Sequence, residues 1–126
     1  MRRGQTGGRA NRYRGEVEAT IDGERRILCL TLGALAELET AFSADGLGDL
    51  GKRLGAGRLS AADLIAIIGA GLRGGGNAID DDEVAAMSIE GGVAAYARLV
   101  GELLTVTFSG GQAEHPATDA VRPDPS

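Results

Sequence analysis

The sequence predicts an α+β fold, an N-terminal β-hairpin followed by a bundle of four to five short helices, and three observations predict it. Residues 16–22 and 24–31 read as two strands around Asp22-Gly23, a strong short-range hairpin signal. From Leu30 to Phe42 the pattern changes period, because Leu35, Leu38 and Phe42 fall at i, i+3 and i+7 on one helical face. Beyond Phe42 the apolar runs have helical spacing, and Ser60 and Asp80 each stand three residues before an acid, as at a capped helix start.

Taken in order, residues 1–14 form a basic arm with Arg2, Arg3, Arg9, Arg12 and Arg14, many glycines and only Tyr13 as a large side chain. Such a segment buries too little apolar surface to offset the ordering of its backbone, so disorder is expected. Residues 15–108 are expected to form one globular domain, and 109–126, rich in Gly, Pro, Asp and Ser, a second disordered tail. In the hairpin, a two-residue loop would set Ile21 against Glu24 and Ala19 against Arg26. A longer, bulged loop would place Val17, Ala19 and Ile21 on one face with Ile27 and Cys29. Because an isolated strand pair needs a buried face, the bulged register is expected. It leaves Leu28 and Leu30 to meet a helix or another subunit.

Thr31 can cap the first helix. Leu32, Leu35, Leu38 and Phe42 share an arc that also holds Glu39, whose carboxylate is expected to accept hairpin or loop N–H groups or to face a partner. Leu47, Leu50 and Leu54 mark a second helix, stopped by Gly55-Ala56-Gly57. The third, from Ser60, carries Leu64, Ile65, Ile67, Ile68 and Leu72 around much of its circumference and is expected to be central. Arg73-Gly74-Gly75-Gly76-Asn77 ends it and lacks the Lys-Ser or Lys-Thr of a phosphate loop. The acids from Asp80 to Glu83 read as a helix cap rather than a calcium loop. In the last helix Val93, Tyr96, Ala97, Val100, Leu103 and Leu104 form the expected core stripe, with Arg98 and Glu102 paired on the solvent side.

Composition narrows the function. At 126 residues there is room for one modest core, and with two Phe, two Tyr and no Trp it must be aliphatic. The 21 glycines far exceed the usual share of about 7%, which points to a marginal or partner-stabilised domain. The arm contains no acid, so the net charge of -5 hides a strongly acidic body. Cys29, the single cysteine, excludes an intrachain disulfide and reads as a small hydrophobe on a strand. No apolar run approaches the ~18 residues of a membrane span, and Met1-Arg2-Arg3 leads into no apolar leader, so a cytoplasmic location is expected.

No nucleophile stands with a base, and no metal-ligand cluster or dinucleotide fingerprint is present. His115 lies in the tail, apart from Cys29. Catalytic, cofactor and metal sites are therefore not expected, and neither is an enzyme. The candidates are binding residues: Leu28, Leu30, Glu39, Leu47 and Leu50 toward a protein partner or a second copy of the chain. In a lesser reading the five arginines of the arm neutralise nucleic-acid phosphates, which an acidic body opposes.

Tyr13-Arg14-Gly15-Glu16-Val17, Ile21-Asp22-Gly23-Glu24 and Leu30-Thr31-Leu32-Gly33-Ala34-Leu35-Ala36-Glu37-Leu38-Glu39 carry a resemblance. So do Ser60-Ala61-Ala62-Asp63-Leu64-Ile65, Gly71-Leu72-Arg73-Gly74 and Glu83-Val84-Ala85-Ala86-Met87. Over residues 13–108 the chain resembles the tail proteins of gene transfer agents, small phage-derived proteins described as tail tube or tail assembly proteins. The resemblance implies a tail assembly chaperone that binds the tape-measure protein until tail-tube subunits polymerise, or else a structural tail-tube component carried in the particle.

Overall fold

Turn chemistry sets the first feature of the computed structural model, which describes residues 10–108. Asp22 and Gly23 both take positive φ, 53° and 80°, the geometry of a two-residue hairpin loop whose twist matches that of the strands. Strand β1 (Glu16–Ile21) therefore pairs antiparallel with β2 (Glu24–Cys29) in the register Val17↔Leu28, Ala19↔Arg26 and Ile21↔Glu24. This corrects the bulged register. Val17 and Ile21 share their face with Leu28, and all three are buried. Ile27 and Cys29 lie on the other face and are only half-buried. Two compensations make the tight loop work. Ile21 bridges to Ile89 on its free edge, while Asp22 and Ser88 exchange two hydrogen bonds of 2.8 Å at the hairpin tip. Arg26 keeps its charged end in hydrogen bonds to Glu24 and Asn77, so its stem can lie at the sheet margin.

Five helices follow among the described residues: α1 (Leu32–Ala41), α2 (Leu47–Gly55), α3 (Ala61–Gly74), α4 (Asp81–Ala86) and α5 (Gly92–Phe108). The starts of α1, α3 and α4 obey the capping rules read from the sequence. The Thr31 hydroxyl accepts from Ala34 N at 3.1 Å, and Ser60 with Asp63 and Asp80 with Glu83 form reciprocal capping boxes. Helix α3 is the central element, with Ile67 through Leu72 all buried. It packs against β2, α1, α4 and α5. The α3–β2 contact is close because glycines face the strand. An added Cβ on Gly74 would run into the Cys29 carbonyl, and one on Gly75 into the Ile27 carbonyl. At Gly71 it would stand 2.8 Å from a Leu103 methyl.

Asn77 locks the same junction. Its Nδ2 donates to the carbonyls of Ile27 at 2.9 Å and Leu72 at 3.0 Å, while its Oδ1 accepts from Arg26 at 3.1 Å. Asn77→Ala is expected to destabilise the domain by about 1–3 kcal/mol, the usual penalty for orphaned polar groups in a partly buried site. Urea titration followed by far-UV circular dichroism reads it, and an unchanged midpoint would refute the role.

Two helical faces differ from expectation. In α1 the buried positions are Ala34, Leu35 and Leu38, so the inward arc is turned toward Ala34; Leu32 is 77% exposed and Glu39 sits half-buried at the margin. In α5 the buried stripe is Ala95, Leu99, Val100, Leu103 and Val106, whereas Val93 is 75% exposed. Glu102 does not pair with Arg98; its carboxylate accepts from Arg12 at 3.3 Å. Arg12 belongs to a 3₁₀ turn (Arg12–Arg14) that precedes β1.

Candidate functional site

The apolar residues of α5 that do not enter the core line a groove. Three cavities of about 300, 520 and 430 Å³ run into one another along this helix. The first and second share Leu59, Leu64 and Val93; the second and third share Leu54, Gly55, Leu104 and Thr105. Val93, Ala97, Gly101 and Leu104 supply the α5 wall. Leu47, Gly48, Gly51 and Gly55 of α2 supply the opposite wall, and Met87 and Tyr96 close one end. Among the described residues no charged side chain lines any of the three cavities. From Val93 to Phe108 the helical rise of 1.5 Å per residue gives the groove a length of roughly 22 Å.

Local sequence explains both walls. Helix α2 turns Leu50 and Leu54 fully inward and leaves Leu47 45% exposed, while Gly48, Gly51 and Gly55 lie on its groove side. None of these three glycines has positive φ. An added methyl on Gly48 or Gly55 would meet nothing within 4 Å, and one on Gly51 only the Phe108 ring at 3.7 Å. Gly101, on the facing wall, is equally open. Each glycine inside a helix costs about 1 kcal/mol relative to Ala, and here no internal contact or backbone conformation requires it.

At the start of α2, the Asp49 carboxylate accepts from Asp45 N at 2.8 Å and Arg53 Nε at 3.0 Å. The backbone bond, then the arginine, hold its carboxyl below the ordinary carboxylate range. With a folded value depressed, this support is complete above that range and is lost as pH falls through the lowered value. Protection of the amides in the first turn of α2, taken relative to their intrinsic exchange rates, is expected to fall on acidification, and to lose that pH dependence in Asp49→Asn.

Of the five residues expected to meet a partner, Leu28, Leu30 and Leu50 are buried by the chain itself and present no surface. Leu47 lines the groove. Among the described residues the Glu39 carboxylate accepts no hairpin or loop N–H, while its backbone carbonyl accepts from Ala44 N at 2.9 Å. Sequence reasoning missed Val93, Ala97 and Leu104 as site residues, whose signal was present as a second apolar stripe on α5, assigned inward, and it missed Leu54 on α2, whose i+7 spacing from Leu47 was assigned to the core.

Of the five arm arginines, Arg2, Arg3 and Arg9 lie outside the described residues, as do the tail and His115. Arg12 and Arg14 pair with Glu102 and Glu16, so their charge is partly spoken for. Arg73 is held by Glu37 at 2.7 Å and Asp81 at 3.1 Å, tying α3 to α1 and to the start of α4. The Cys29 thiol donates to the Arg14 carbonyl at 3.6 Å, and burial first, then Glu16, push its pKa up, away from thiolate chemistry. Among the described residues no group of three or more His, Cys, Asp or Glu side chains could hold a metal, and no helix is long and apolar enough to cross a membrane.

The main concave surface of this small hairpin-and-helix domain, among the described residues, is an apolar groove. Residues 14–110 match the family described as phage tail tube protein, GTA-gp10, and the chain belongs to that family of phage and gene transfer agent tail proteins. No curated protein matches the chain, and no solved structure does.

Proposed function

We propose that this protein is a non-enzymatic tail assembly chaperone of a gene transfer agent, binding the tape-measure protein and handing it to tail-tube subunits. The observation that carries the reading is the open groove along α5, where a second apolar stripe of that helix is left uncovered by the described residues. A chaperone for a long helical rod needs such a surface, and the 3.6-residue repeat of a rod offers the same face at every turn. Co-expression with the tape-measure protein is expected to yield a soluble complex that survives size-exclusion chromatography. Absence of binding both to that protein and to tail-tube subunits would overturn the reading.

The family description favours a second reading, a structural component of the tail tube. Quantitative mass spectrometry of purified particles separates the two. A ring stoichiometry in the particle supports the structural role, and absence from finished particles supports the chaperone.

A further inference from the structure

Three properties of the groove define what fits it. It has no charged lining among the described residues, is about four helical turns long, and is walled mainly by helices, whose mid-helix backbone groups are already bonded. An extended peptide entering it would bury N–H and C=O groups without partners. A helix satisfies its own backbone and brings only side chains to the walls.

The rim adds charge. Lys52 follows the groove residue Gly51, Arg58 stands between the groove residues Gly57 and Leu59, and Arg98 follows Ala97. All three are exposed, and none makes a hydrogen bond or ion pair among the described residues. Residues 50–62 and 91–101 contain no acid, in a chain whose net charge is -5. Glu102, the next acid along α5, is engaged by Arg12. An acidic protein thus sets three exposed cations next in sequence to residues of its apolar groove, although Lys52 also acts on the nearby Asp49 carboxylate.

We propose that the groove between α2 and α5 seats an amphipathic helix carrying acidic side chains along its flanks, its apolar face on the glycine-rich walls and its carboxylates against Lys52, Arg58 and Arg98. The proposal rests on the assembly reading and names the chemistry of the segment such a partner must present. The open space at Gly48, Gly55 and Gly101 lets the bound helix approach closely.

Two synthetic four-turn helical peptides test it on the full chain. Both carry a Leu/Ala face, one flanked by Glu and the other by Lys. The Glu-flanked peptide is expected to bind at least about tenfold more tightly, with affinity falling as salt rises. Lys52→Glu, Arg58→Glu and Arg98→Glu together are expected to reverse that preference, and Gly101→Leu to abolish binding of both peptides. Gly101→Ala separates a partner role from a structural one: it is expected to raise Tm by about 4 °C while weakening the Glu-flanked peptide. Equal affinity for both peptides, or a preference unmoved by the triple reversal, would overturn the proposal. So would a self-association of the chain that the same reversal breaks, since the occupant would then be a second copy.

Co-expression with the tape-measure protein keeps the two levels apart. If wild type and triple variant capture it equally, the groove chemistry is wrong and the assembly role stands. If wild type captures neither tail partner while the peptide preference holds, the assembly role is wrong and the groove chemistry stands.

Discussion

Gly75→Ala is expected to remove about 3 kcal/mol or more of stability and to leave much of the protein unfolded at 25 °C. The added methyl would collide with the Ile27 carbonyl and lie 3.1 Å from Leu28 Cα. These are backbone atoms of a paired strand, so they cannot swing aside as a flexible side chain would. Relief requires α3 to move off β2, which opens the central helix of the core. Overpacking of this kind commonly costs 1–3 kcal/mol against movable side chains, and more where a backbone must shift. Gly74→Ala should behave alike, because its methyl would meet the Cys29 carbonyl. Thermal and urea unfolding decide the matter, and a Gly75→Ala protein with a wild-type midpoint would show that the helix does not lie this close to the strand.

Leu28→Ala is expected to cost between about 2 and 5 kcal/mol. Leu28 is fully buried and lies within 3.4 Å of the position a Gly71 methyl would take, at the meeting of sheet and central helix. Truncation leaves a cavity that the rigid hairpin cannot collapse into. The same experiment distinguishes core from interface. A partner-facing leucine would lose binding with little change in stability, whereas Leu28→Ala should lower the urea midpoint of the isolated protein.

The fold was largely legible because its signals are local. Thr31, Ser60 and Asp80 cap the helices they appeared to cap, and α3 is buried where its apolar residues crowd together. The hairpin register was misjudged because it depends on a distant segment. Ile21 opposite Glu24 looks unfavourable until Ile89 covers the other edge, and nothing in the two strands announces that contact. The groove was hidden by an ambiguity in α5. Val93, Ala97, Gly101 and Leu104 have the same spacing as Ala95, Leu99, Leu103 and Val106, displaced by two residues and so turned about 200° around the helix. Periodicity shows that both stripes exist; only the positions of α3 and the hairpin decide which one is buried. Leu28, Leu30 and Leu50 were candidates for a partner surface for the related reason that the core they enter is assembled from segments far apart in the chain.

The clamp at the hairpin tip has a consequence for synthesis. Asp22 is held by Ser88 and Ile21 by Ile89, and the same sheet packs on α5, which ends at Phe108. Strand β2 can meet α3 first, but β1, whose main helical neighbour is α5, waits for that helix before its buried face is covered. At about 5–20 residues per second that interval lasts several seconds, during which β1 and its apolar side chains stand open. Chains interrupted before Phe108 should accumulate as protease-sensitive fragments, so the translation machinery delivers this domain as a whole or not at all.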